Sequence, residues 1–159
     1  MTKAEKELRQ AIIDKCLWMN ASGLNQGTSG NISARFKDQM LITPSGIPYE
    51  KLKPEMIASM PLEGEYGSWD GPLKPSTEWR FHLDIIKSRS QVNGVVHTHS
   101  TFATTIAITG RGIPACHYMI AAAGGPTIRC APYARYGTEE LSQYALKALE
   151  DRNCCLLAN

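Results

Sequence analysis

The spacing of apolar residues changes period along this chain, and that change limits the possible fold more than any other feature. Across residues 4–21, Leu8, Ala11, Ile12, Cys16 and Met19 recur at three- and four-residue intervals with charges between them. This is the pattern of an amphipathic helix, and Gly23 is a plausible stop. After the turn cluster NQGTSGN, residues 32–36 and 40–43 read as a strand pair around Lys37-Asp38. Residues 53–56 suit a short helical turn and 57–62 a strand, while the Gly- and Pro-rich residues 66–74 suit a surface loop. A second helix is expected over 77–89, with Ser76 as N-cap and Trp79, His82, Ile85 and Ile86 on one face. Residues 94–99 read as a buried strand, 101–108 as a helix, and 115–119 and 127–131 as strands. Residues 138–151 read as a helix that Thr138 caps, with Glu139 and Glu140 suiting its positive end. The sum is an α/β fold: a single domain with a central mixed, largely antiparallel sheet flanked by helices.

The chain has 159 residues, 43% of them hydrophobic and 20% charged, which suits one globular domain with a hydrophobic core. A formal charge of +2, with Lys and Arg scattered, gives no electrostatic footprint for nucleic acid or a membrane surface. The polar start MTKAEKELRQ lacks the apolar region of a signal peptide. The five cysteines include no CxxC pair, so reduced, mostly buried thiols in a cytoplasmic protein are the simplest reading. The final CCLLAN reads as a buried strand of the kind that leads into further structure, so a missing C-terminal part is expected.

The segment VVHTHS carries the sharpest chemical signal. Side chains alternate on a strand, so His97 and His99 point the same way, about 7 Å apart at the backbone. Two imidazoles so placed can converge on one cation. Catalytic zinc takes three protein ligands and keeps one position open, and a carboxylate is a common partner of histidine. Glu78, in the first turn of the second helix, is the candidate carboxylate. Taken singly, an HxH on a strand or a Glu at a helix start is more often structural. His82 and His117 read as structural.

Three short segments, at residues 27–31 (GTSGN), 43–46 (TPSG) and 75–77 (PST), offer backbone amides and hydroxyls in tight turns. Glycine lets the backbone approach an anion, and successive N–H groups form a nest for phosphate oxygens. Ser76 and Thr77 stand at a helix N-terminus, a natural anion site. One such turn is weak, but three, with the last abutting Glu78, place an anion site beside a cation site. No Walker loop or dinucleotide fingerprint is present.

The segments GLNQGTSGNIS, MLITPSGIPYEKL, KPSTEWRFH, VVHTHS and HYMIAAAGG, in that order, resemble the class II aldolase/adducin family from the first helix to the last residue. The resemblance implies a zinc ion held by one Glu and three His, of which Glu78, His97 and His99 match the first three. The remaining histidine would follow Asn159. It implies a phosphate site from Gly30, Asn31, Ser45, Gly46, Ser76 and Thr77, and a catalytic acid at Tyr118 delivered across a subunit interface of a homotetramer. By the residues alone, Tyr118 would be a core aromatic. The implied reaction is reversible cleavage of a ketose 1-phosphate, such as L-fuculose 1-phosphate, into dihydroxyacetone phosphate and a small aldehyde such as L-lactaldehyde. Zinc would act as Lewis acid and Glu78 as proton shuttle. Aldolases for 5-deoxy- or 5-methylthio-pentulose 1-phosphates and pentulose-phosphate 4-epimerases share the scaffold, and a non-catalytic binding module is the reading of a different class.

Overall fold

A computed structural model describes residues 1–158. The chain divides into two compact units, Met1–His99 and Ser100–Asn159. Together they give the expected α/β fold with a largely antiparallel sheet and helices.

In the first unit, helix α1 (Lys3–Ala21) begins at Thr2, whose side chain accepts from the Glu5 N–H. Its buried stripe is Arg9, Ile12, Ile13, Cys16 and Met19, so Ile13 and not Ala11 turns inward. Arg9 can be buried because its guanidinium pairs with Glu5 at 2.7 Å and donates to the carbonyls of Pro54 and Ile57. Strands β1 (Asn31–Phe36) and β2 (Gln39–Ile42) form the expected hairpin, with Lys37 at φ 55 in the turn. Strand β3 (Ala58–Pro61) pairs with β2, and β4 (Gly94–His97) pairs with β1. All three pairings are antiparallel, in the order β3-β2-β1-β4.

Alternation along the strands gives the sheet two covered faces. On one face Ile32 and Leu41 join Ile12, Ile13, Cys16 and Met19 of α1. On the other, Met40, Ile42, Ala58 and Met60 pack with Leu83 and Ile86 of helix α2 (Trp79–Ser88). Helix α2 is more deeply embedded than a single face would require, since Phe81, His82, Leu83, Ile85 and Ile86 are all buried. The buried reading of β4 needs correction. It is an edge strand whose Val95 packs inward, while Val96 is 60% exposed.

The second unit holds α3 (Thr101–Ala107), a 3₁₀ turn over Tyr118–Ala123, β5 (Cys130–Ala131), α4 (Glu139–Ala148) and β6 (Leu156–Leu157). Strands β5 and β6 are parallel, with α4 between them in the chain. Thr138 caps α4 by accepting from the Leu141 N–H, as expected. The strand expected over residues 115–119 is absent. Cys116 N–H donates back to the Pro114 carbonyl at 2.7 Å, which folds the chain into a tight turn leading to the 3₁₀ segment. Gly124 ends that segment at φ 89, a conformation suited to glycine. The adjoining Asn153 N–H donates to the Ala123 carbonyl at 2.7 Å, and Asn153 Nδ2 donates to that of Ala122.

All five cysteines are free thiols. Only Cys16 is fully buried, and burial pushes its thiol up to about 12. Cys116 and Cys154 are exposed, so the expectation of mostly buried thiols fails. Among the described residues, no helix is long and apolar enough to cross a membrane.

Leu41 is fully buried between β2 and α1, whereas Phe102 on α3 is 85% exposed. Leu41→Ala should therefore cost about 2–5 kcal/mol in a chemical denaturation curve. Phe102→Ala should stay within about 0.5 kcal/mol of the parent.

Candidate functional site

The first unit gathers most of the residues singled out by the sequence, and backbone pairing does the gathering. Asn31, the first residue of β1, stands opposite His97, the last of β4. The turn before β1 is tied to β4 by a close approach at Gly30. A Cβ there would lie 2.6 Å from the His97 carbonyl oxygen and 2.9 Å from both Asn25 Oδ1 and Met19 Cε, so only glycine fits. The Gly30 carbonyl accepts from Tyr49 Oη at 2.5 Å.

The other two turns join through residues 43–45 and 74–76. Pro44 bridges Pro75, the Ser45 N–H donates to Lys74 O at 3.1 Å, and the Ser76 N–H donates to Thr43 O at 2.9 Å. Thr43 is bonded in turn to Ile32 of β1: its Oγ1 accepts from Ile32 N–H, and its own N–H donates to Ile32 O. The segments that carry Asn31, Ser45 and Ser76 are thus one hydrogen-bonded assembly. Ser45, Gly46 and Thr77 are exposed, whereas Asn31 and Ser76 are buried.

Glu78 is the N-cap residue of α2, one position outside the helix, and its side chain makes no capping bond. Ser76 serves the turn instead, its Oγ accepting from the Glu78 N–H at 3.3 Å. The carboxylate is therefore available to β1 and β4. Its Oε2 accepts from Asn31 Nδ2 at 2.8 Å and lies 3.4 Å from His97 Nε2. His97 Nε2 is in turn 3.0 Å from His99 Nε2. The strand ends at His97, and His99 lies beyond it, held by its backbone N–H donating to Asn25 Oδ1 at 3.0 Å. Asn25, 2% exposed, also accepts from Ser29 Oγ and donates to Asn20. Nothing in the sequence distinguishes it from an ordinary turn residue.

The close contacts form a row from Glu78 to His97 to His99. Among the described residues, no group of three or more His, Cys, Asp or Glu is gathered tightly enough to hold a metal by itself. The pairwise spacings of 3.4 and 3.0 Å are nonetheless close to the edge of a ligand tetrahedron, roughly 3.3 Å for bonds of about 2.0–2.1 Å to zinc. Two imidazoles and a carboxylate are also a donor set that zinc accepts. The donor types suit a divalent cation, and the two contacts along the row, Glu78 to His97 and His97 to His99, accord with ligands of one ion. Burial holds the His97 imidazole below its ordinary value, with Glu78 opposing this and His99 adding to it. A neutral ring presents the lone pair that a metal requires.

Tyr118 belongs to the second unit, at the start of its 3₁₀ turn, and is 80% exposed. The core-aromatic reading is overturned. His117 lies against it, with ring centroids 4.4 Å apart, and His117 Nδ1 accepts from the Met119 N–H.

Residues 10–159 match the family model described as Class II Aldolase and Adducin N-terminal domain. The chain is 52% identical over 152 residues to the 5-methylthioribulose-1-phosphate/5-deoxyribulose-1-phosphate aldolase of Rhodospirillum rubrum, covering 96% of this chain and 67% of that relative. It is also 52% identical over 151 residues to the L-fuculose phosphate aldolase of Escherichia coli strain K12, covering 95% and 69%. A solved structure of an L-fuculose 1-phosphate aldolase is similar with a TM-score of 0.90 at 39% identity, over 96% of this chain and 72% of that one.

His82, buried behind Asn31, generates a pH prediction. Burial, with His97 a lesser cause, lowers its imidazole from 6.5 to about 3. Between these values the unfolded chain binds a proton that the folded chain refuses, so the contribution is complete above about 6.5 and is lost as pH falls toward 3. The slope is at most about 1.4 kcal/mol per pH unit. Urea midpoints followed from neutral to acid pH should fall less steeply in His82→Gln than in the parent. Parallel curves would remove His82 as a source of the acid sensitivity.

Proposed function

This chain belongs to the class II aldolase and adducin N-terminal domain family and is a lyase of the aldolase type, and on that premise we propose that it reversibly cleaves a ketose 1-phosphate to dihydroxyacetone phosphate and a small aldehyde. The observation that most supports this reading is the row of Glu78, His97 and His99 beside the joined turns that carry Asn31, Ser45 and Ser76. A cation site and an anion site then adjoin, as a substrate with a reacting carbonyl and a phosphate tail requires.

Glu78, His97 and His99 would hold a divalent ion, zinc by the donor set. Once bound, that ion would supply Lewis-acid polarisation of the substrate's C2 carbonyl and C3 hydroxyl oxygens. The chain's own residues do the rest. Gly30, Asn31, Ser45, Gly46, Ser76 and Thr77 anchor the phosphate, the end of the substrate that does not react. Binding energy there fixes the C3–C4 bond in place. Glu78 moves the proton at C3. Tyr118 serves the aldehyde oxygen, accepting a proton in cleavage and returning it in condensation. Its exposed ring leaves it free for delivery to a neighbouring copy, as a homotetramer with active sites at subunit interfaces would require. A cytoplasmic setting accords with five unpaired cysteines.

The equal identity to relatives named for two substrates gives a second reading of the aldehyde end: a 5-deoxy- or 5-methylthio-pentulose 1-phosphate in place of L-fuculose 1-phosphate. A panel of ketose 1-phosphates coupled to dihydroxyacetone-phosphate detection separates the two. Failure of every member to release that product would reject aldol cleavage.

Glu78→Gln should abolish turnover while keeping inorganic phosphate binding. Elemental analysis of His97→Ala should find the metal lost, and unchanged content would mean that His97 is not a ligand. Tyr118→Phe should slow turnover about 10²–10⁴-fold, and a rate near the parent's would remove Tyr118 from the chemistry.

A further inference from the structure

We propose that His82 is a positioning residue which, acting through Asn31, fixes the direction of the Glu78 carboxylate. The proposal rests on the role given to Glu78 above. Its basis is an unbroken polar chain inside the first unit. Asn31 and Ser33 are two apart on β1, so both side chains face α2, and both meet His82. His82 Nδ1 lies 2.7 Å from Ser33 Oγ and its Nε2 lies 2.5 Å from Asn31 Oδ1. Asn31 Nδ2 then donates to Glu78 Oε2 at 2.8 Å. His82 is fully buried, and its ring stacks on Phe81 with centroids 4.7 Å apart at 26°. A flip of the ring would lose both bonds, and a tilt out of its plane would lose that stacking as well.

The chain has one self-consistent polarity. A carboxylate oxygen only accepts, so the amide end facing Glu78 must be Nδ2. The amide oxygen therefore faces His82, and Nε2 must carry a proton to donate to it. In the neutral ring Nδ1 then accepts from the Ser33 hydroxyl. The same Oε2 that takes the Asn31 bond faces His97. The amide therefore holds the oxygen that the cation would share. This also changes the part played by Asn31. Its Oδ1 and one Nδ2 hydrogen are committed inside the protein and its backbone is paired with His97, which leaves its second Nδ2 hydrogen for a phosphate.

Partners that orient a ligand in this way typically alter metal affinity or activity 10- to 100-fold when removed. The first test needs no variant. A long-range ¹⁵N–¹H correlation spectrum of the labelled protein should show His82 protonated at Nε2. Protonation at Nδ1 alone would overturn the proposal, whether or not the protein cleaves any sugar phosphate. The second test compares His82→Met, which fills the volume without a donor, with His82→Gln, whose amide can still donate to Asn31. Zinc affinity, measured by competition with a chromophoric chelator, should fall about 10- to 100-fold in the first and recover most of that loss in the second. In steady-state kinetics kcat should fall with it while KM stays within about threefold. A folded His82→Met with the parent's zinc affinity and kcat would reject the positioning role. A parent that binds no zinc would instead reject the metal reading itself, leaving the tautomer result to decide the chain.

Discussion

Strand β1 lies between β2 and β4, and its first residue stands opposite the residue that ends β4. Almost everything of chemical interest in the first unit follows from that pairing. It brings His97 to Asn31, and the side-chain alternation of β1 turns Asn31 and Ser33 toward α2, where His82 meets both. The hydrogen bonds between Ile32 and Thr43 carry the same order to the second turn, and that between Thr43 and Ser76 carries it to the third. The sheet is therefore more than a support for side chains on loops. It is the element through which a helix start, a strand end and three turns become neighbours. Two closely packed faces, one under α1 and one under α2, keep it from shifting.

Where periodicity was strong, the sequence described the fold well. Helices α1 and α4, the β1–β2 hairpin and the cap at Thr138 all follow from spacing and turn chemistry that act within a few residues. The candidate site stood out in its residue types and in the crowding of Gly, Ser and Thr around Glu78. What could not be read is how those pieces meet. The bridge between Pro44 and Pro75 is one case: proline lacks an N–H, so neither residue signals a strand. His82 is another. Its partners lie 49 and 51 residues away, and its own neighbours in sequence present it as one more member of a helix face.

The errors share a cause. Val95-Val96 reads as a buried pair because both are apolar, yet only the sheet order decides that β4 lies at an edge and that Val96 faces outward. The apolar run around Tyr118 reads as core or strand, but the tight turn after Pro114 and the positive φ at Gly124 shape it into a 3₁₀ segment that leaves the phenol exposed. Local composition reports what a residue prefers. It does not report whether the rest of the chain covers it.

The edge position of β4 has a consequence for fidelity. A slip of one residue along β1 would turn His97 to the opposite face and carry Val96 inward. With Val95 half-buried and Val96 in solvent, the apolar pattern opposes that slip only weakly. The resistance comes from two contacts with no catalytic chemistry of their own: the Cβ-free approach at Gly30 and the clasp of Asn25 on the His99 backbone. The approach of Glu78, His97 and His99 to one another is in this sense a matter of alignment, secured by a missing methyl group and one amide, at positions where a residue-by-residue inspection of that row would not look.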